Sequence, residues 1–200
     1  MVEKRFIMVK EHHKNTFLKA KKDGKMDKGF IPLCDFLTKS EDYFSASSCA
    51  GRITLVGLDL RESKKESAFH RKWHRKVKFD EVKEGIDSYD GEVLWFKQEP
   101  LIFHLGSNTL ENSKKILVAC EKAGVKRSGI KVAKEGKFII EIVGTHQINT
   151  PVRENGETKI DDSFLKYLVE KANQKFDKNN ANLKKLEHEI KKILKQKKSK

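Results

Sequence analysis

Leu165, Val169, Ala172, Phe176, Asn179, Leu183, Leu186, Ile190 and Ile193 follow one another in alternating steps of four and three. That spacing is a heptad seam, and it predicts a single helix running from about Asp162 towards the C-terminus. One position of the seam is polar, Asn179. A seam of this kind packs on the N-terminal helix, on a second chain, or on the body of its own chain. Its shortness and the Asn179 interruption favour the body and a monomer. The expected organisation is an α/β body over residues 1–160, including an N-terminal helix, and a long basic helix over 161–200.

The outer face of that helix carries Lys184, Lys185, Lys191, Lys192, Lys195, Lys197, Lys198 and Lys200. Lysines also suit the negative end of a helix dipole, so the run is either a solvated helix end or an arm for phosphates. The whole chain leans the same way: its formal net charge is +14 over 200 residues. A thermophile-type surface adds Lys and Glu together and would not unbalance the charge so far. A polyanionic partner, nucleic acid above all, accounts for it better.

Cys34, Cys49 and Cys120 are an odd number and widely spaced, which argues against a disulfide framework and a zinc ribbon. His70 and His74 have metal-ligand spacing if helical, but they lack the HExxH glutamate and a nearby third ligand, so no metal is expected. The start of the chain shows no signal segment, and no long apolar run follows it. A soluble, cytoplasmic protein with no membrane partner is the expectation.

Along the body, Phe6, Ile7, Phe17 and Leu18 are spaced for a helix, and Ile31–Ser40 forms a short second one. Strands are expected at Ile53–Leu58, Val93–Phe96, Leu101–Leu105, Ile130–Val132 and Phe138–Val143. A third helix covers Lys114–Lys122 and ends at Gly124. Two helix-then-strand stretches each carry a Ser and a Gly on the connecting segment, Ser48 to Gly51 and Ser128-Gly129. They suggest a duplicated unit around a shared cleft, although Ser-Gly is also a common turn dipeptide. The class is α/β in the broad sense (α+β). It is not Rossmann, because no GxGxxG and no P-loop occur.

The chemistry gathers in Tyr43-Phe44-Ser45-Ala46-Ser47-Ser48-Cys49-Ala50-Gly51-Arg52-Ile53, read as an extended segment, a polar turn and a new strand. Gly51 permits close backbone approach, and the Arg52 fork suits carboxylate or phosphate. Cys49 has the makings of a nucleophile, but no Cys-His signature surrounds it. His104, at the end of an apolar strand five residues beyond Glu99, is a core histidine or a general base. His146 is a weaker candidate. Arg71, Trp73 and Arg75 lie in a basic run that suits a stacked base and its backbone.

The 43–53 stretch resembles the signature of the tRNA wybutosine-synthesising protein 3 family, with Ala46 and Ala50 where that signature has Thr and Ser. Asp27-Lys28-Gly29, Glu99-Pro100-Leu101-Ile102-Phe103-His104, Ala123-Gly124-Val125-Lys126-Arg127-Ser128-Gly129-Ile130 and Leu168–Asn180 resemble its other motifs in the same order. Residues 61–82 match poorly. The resemblance implies a tRNA methyltransferase with its own α/β fold. Its expected cofactor is S-adenosylmethionine, and its expected partner is tRNA(Phe) carrying a wyosine-type intermediate. The reaction implied is N4-methylation of 7-aminocarboxypropyl-demethylwyosine beside the anticodon.

On that reading His104 and Ser48 are the expected catalytic residues. Ser47, Cys49, Gly51, Arg52, Glu99, Ser128 and Gly129 are expected to hold cofactor or substrate. Arg71, Trp73, Arg75, Lys184 and Lys191 are expected to hold tRNA. The competing classes are a non-catalytic basic RNA-binding protein and a coiled-coil interaction protein organised by the C-terminal seam.

Overall fold

The computed structural model describes residues 2–63 and 67–195. Lys197, Lys198 and Lys200 of the basic C-terminal run, and residues 64–66 of the basic central run, lie outside the described residues. The chain divides into two units, each assembled from separated segments. The first takes residues up to Ala50, Leu101–Thr145 and Asn180 onward; the second takes Gly51–Pro100 and His146–Asn179.

In the first unit, α1 (Val2–Lys22), a short 3-10 turn (Lys28–Phe30) and α2 (Ile31–Thr38) lead into β1 (Tyr43–Cys49). Then come β5 (Ile102–Ser107), α4 (Leu110–Lys122), β6 (Arg127–Lys134) and β7 (Lys137–Val143). The strands form one antiparallel sheet in the order β1-β5-β7-β6. Alternation along each strand sends Leu101, Phe103, Leu105, Ile140 and Ile142 to one face. There they pack with Leu33 and Leu37 of α2 and Ile116 and Ala119 of α4. Part of the other face is covered by α1, where Phe6 and Val9 meet Phe44 and Ile139. Gly106 has to be glycine for this: a Cβ there would lie 2.0 Å from the Phe44 ring.

The two helix–strand pairs that echo each other in sequence, α2–β1 and α4–β6, form the two edges of this one sheet. The structure differs from the sequence reading in the connecting segments. Ser45–Cys49 and Ser128-Gly129 are strand, not turn, and the chain breaks only at Ala50-Gly51. Gly51 has φ +96, and a Cβ there would meet Asn179 Nδ2 at 2.6 Å and the Glu99 carbonyl at 2.8 Å.

In the second unit β2 (Arg52–Leu58), β3 (Ala68–Trp73), β4 (Val93–Glu99), β8 (Ile148–Glu154) and β9 (Glu157–Thr158) form an antiparallel sheet, ordered β3-β2-β4-β8-β9. Ile53, Leu55, Leu94, Phe96 and Val152 pack on one face against α3 (Phe79–Asp87) and the first half of α5 (Asp162–Lys195). That half contributes Leu165, Leu168, Val169, Ala172 and Phe176. Beyond Asn179, Leu183, Leu186 and Ile190 of the same helix enter the core of the first unit. The seam expected from the sequence is therefore a core face along its whole length. Each fully buried leucine or isoleucine in it is worth about 1.5–3 kcal/mol.

Candidate functional site

Antiparallel pairing sets residues of neighbouring strands directly opposite one another. Across the four-stranded sheet one such row reads Ser47 on β1, His104 on β5, Glu141 on β7 and Gly129 on β6. Three of the four are connected by hydrogen bonds. Ser47 Oγ and His104 Nδ1 are 2.8 Å apart, and His104 Nε2 and Glu141 Oε1 are 3.3 Å apart. The other carboxylate oxygen of Glu141 lies 3.1 Å from Lys131 Nζ. The Lys131 ammonium, with a smaller contribution from His104, holds the Glu141 carboxyl below its ordinary range against the opposing effect of burial. Gly129 leaves open space beside Glu141.

The register explains which serine reaches the histidine. Ser45 faces Leu105, but a bulge at Ala46 inserts an extra residue, so Ser47 rather than Ala46 pairs with His104. Ser48 was the expected catalytic hydroxyl. It pairs instead with Phe103, and the bonded partner of His104 is Ser47. Ser48 lies with Ser45 near Cys34, a core residue whose thiol burial pushes up to about 11. The Cys120 thiol is likewise buried and raised to about 11. Ser128 spends its hydroxyl on the Val125 carbonyl at 2.8 Å, closing the link between α4 and β6.

Beside the β1 edge, a cavity of about 180 Å³ is lined by Thr16, Phe17, Ala20, Met26, Ser45 and Ser47, among others. Apolar walls with a few hydroxyls suit a planar heterocycle. The volume is below the roughly 300–1,000 Å³ of whole-ligand pockets, so it fits one ring system of a larger cofactor. Asp27 accepts a hydrogen bond from the Ala50 amide at 2.6 Å and pins the end of β1. Cys49 is half-buried at that end.

In the second unit Arg52 Nε is paired with the Glu99 carboxylate, and its guanidinium lies 4.6 Å from the Phe69 ring centre. Arg71 and Trp73 stand opposite Leu55 and Ile53, so they share the helix-covered face. Trp73 packs on that core. Arg71 donates to the His70 carbonyl, and Arg75 makes a two-pronged pair with Glu81. His70 lies in a strand, so His70 and His74 do not share a helix face. On α5, Lys184 is exposed, whereas Lys191 is paired with Glu187. A truncation after Asn182 would remove Leu183, Leu186 and Ile190 from a core, so it tests folding and not only charge.

Glu141 and Lys131 are absent from the residues the sequence singled out. The signal for Glu141 was present: it is the one carboxylate inside Phe138-Ile139-Ile140-Glu141-Ile142-Val143. A charge inside an apolar strand needs a partner. Among the described residues no helix is long and apolar enough to cross a membrane.

Comparison with known proteins agrees with this architecture. A protein of Thermococcus kodakarensis named tRNA(Phe) 7-((3-amino-3-carboxypropyl)-4-demethylwyosine(37)-N(4))-methyltransferase 1 is 34% identical, covering 92% of this chain and 93% of that protein. A counterpart of the same activity name in Thermococcus sibiricus is 32% identical over 98% of this chain and 99% of its own. The solved structure of the PH1069 protein from Pyrococcus horikoshii superposes with a TM-score of 0.89 at 32% identity, covering 95% and 98% of the two chains. A hypothetical protein from Aeropyrum pernix gives 0.73 at 26% identity, covering 84% and 98%. The family described as Methyltransferase TYW3 matches residues 3–192, and the chain, a methyltransferase, belongs to it.

Proposed function

We propose that this chain methylates N4 of the 7-aminocarboxypropyl-demethylwyosine base in tRNA(Phe), using S-adenosylmethionine, and that the row on the four-stranded sheet manages the proton the acceptor nitrogen loses. The observation that carries the reading is the continuous Ser47–His104–Glu141 chain of hydrogen bonds. An ionised Glu141, stabilised by Lys131, accepts the Nε2 proton of a neutral His104. Nδ1 is then left as the acceptor for the Ser47 hydroxyl. A proton leaving the acceptor nitrogen passes to Ser47 Oγ as the Ser47 proton passes to His104 Nδ1. The resulting imidazolium is paired with Glu141, the arrangement by which an acid orients and stabilises a histidine base.

S-adenosylmethionine, when bound, supplies an electrophilic methyl on a sulfonium. The cavity beside β1 offers its ring system apolar walls and the hydroxyls of Thr16, Ser45 and Ser47. The excess of cations over the chain attracts the phosphates of tRNA.

The test combines purified protein, methyl-labelled S-adenosylmethionine and tRNA(Phe) bearing the aminocarboxypropyl-demethylwyosine base, with mass analysis of the nucleoside digest. One added methyl on that base is the expected result. Bound tRNA with no added methyl would replace this reading by the non-catalytic RNA-binding one.

A further inference from the structure

The second sheet carries a row of its own, unrelated to proton transfer. Phe69 on β3 is opposite Val56 on β2, Val56 opposite Trp95 on β4, and Trp95 opposite Pro151 on β8. These residues alternate with those that pack on α3 and α5, so they occupy the other face of the sheet. Phe69 is 49% exposed. The row beside it reads Lys72, Thr54, Lys97 and Asn149. Its ammonium groups lie over the first row: Lys72 is 5.3 Å from the Phe69 ring centre and Lys97 is 5.5 Å from that of Trp95. Arg52 reaches the Phe69 ring as well. A shallow hollow of about 650 Å³ opens over Phe69, Trp95, Lys97 and Asn149.

Two carboxylates border the hollow, and both have partners within the unit. Glu62 accepts the Trp95 indole N–H at 2.8 Å, and Glu99 is paired with Arg52. What remains is a line of rings and aliphatic side chains edged by lysines. An apolar protein partner fits this poorly, because lysine is depleted from the centres of protein interfaces. A ligand that has π faces and carries phosphates fits both rows at once. Bases stack on aromatic side chains displayed by a sheet, and neighbouring cations take the backbone.

We propose that this face of the second sheet is a stacking platform for unpaired RNA bases, with Phe69 and Trp95 as the stacking rings and Lys72 and Lys97 as phosphate contacts. The proposal rests on the reading of the substrate as RNA and adds to it the residues that hold single-stranded nucleotides. Strands lie about 4.8 Å apart and Val56 separates the two rings, so they stand roughly 9–10 Å from each other. They therefore address separate bases rather than sandwiching one.

Trp95 provides its own readout. In full-length protein carrying Trp73→Phe, Trp95 is the remaining tryptophan. Titration with single-stranded oligoadenylate is expected to quench its emission, whereas an RNA duplex of equal length quenches it far less. Phe69→Leu keeps an apolar side chain and removes the ring; it is expected to weaken oligoadenylate binding roughly 5- to 100-fold, and Phe69→Tyr to restore it. Absence of quenching, or Phe69→Leu binding as tightly as the parent, overturns the platform. Methyl transfer to tRNA by the parent alongside either of those results leaves the enzyme standing and removes only the platform. Quenching without methyl transfer does the reverse.

Discussion

The two sheets are built alike and carry different chemistry on their second faces. Each is antiparallel, each packs apolar side chains from alternate positions on one face, and each carries a cross-strand row on the other. In the first sheet the row is Ser47, His104, Glu141 and Gly129, with Lys131 beside it, and it is bound together by directional hydrogen bonds. In the second it is Phe69, Val56, Trp95 and Pro151, and its polar neighbours lie over rings. Antiparallel register supplies the alignment in both cases, and the side chains alone decide whether a row is a chain of hydrogen bonds or a line of rings. One row depends on atomic placement, the other on area and charge.

That contrast breaks first at His104. His104→Ala is expected to lower the methyl-transfer rate about 10²- to 10⁴-fold, the range of general acid–base contributions, with little change in tRNA affinity. Glu141→Gln should cost less, on the order of ten-fold, the worth of one charge-assisted hydrogen bond. A full rate in His104→Ala, or a loss appearing only as weaker tRNA binding, would make the first row a surface like the second.

The next effect is on stability and compares two glycines. Gly106→Ala drives a methyl group into the Phe44 ring and should cost about 1–3 kcal/mol in denaturant unfolding. Gly51→Ala meets a backbone carbonyl and adds a left-handed conformation, so its cost is expected to reach ~3 kcal/mol or more. Phe44→Leu placed in the Gly106→Ala chain should return part of the loss. No single side-chain change should rescue Gly51→Ala. Equal rescue of both would show that the obstacle at Gly51 is a movable side chain after all.

The smallest effect concerns His13, which stacks on Phe44 with ring centres 4.9 Å apart. Burial, then His12 and Lys137, lower its pKa from 6.5. The unfolded chain therefore takes up this proton first as pH falls. The contribution is full above about pH 6.5 and is lost as pH drops towards the folded-state value. Thermal unfolding of the wild type against His13→Phe should diverge below that pH, by a degree or two on a scale where 1 kcal/mol moves Tm about 2–4 °C. Parallel curves would show that the stacked imidazole carries no linked proton.

Much of this was legible in the sequence, and what was missed has a common physical origin. Helix α5 was readable because Leu165 to Ile193 keep one period over many turns. Strands β4, β5 and β7 were readable because apolar runs announce them. His104 stood out as a polar residue in such a run, and by the same reasoning Glu141 could have been found. The choice between Ser47 and Ser48 was hidden, because it depends on one bulge residue, Ala46, and a bulge is a property of two paired strands. The placement of Trp73, expected from the sequence to hold tRNA, was hidden for the same reason. A register shift between Leu55 and Val56 places Trp73 on the helix-covered face and Phe69 on the other. Local sequence shows where strands are, while partners distant along the chain decide which way their side chains point.

The division of the chain also bears on how it is made. The first core needs Leu183, Leu186 and Ile190, and the second needs Leu165 to Phe176. Both sets come from α5, which follows every strand of both sheets in the chain. Strands β1 to β8 are therefore made before the helix that completes the cover of their apolar faces. A message that stops before Asp162 leaves neither core closed.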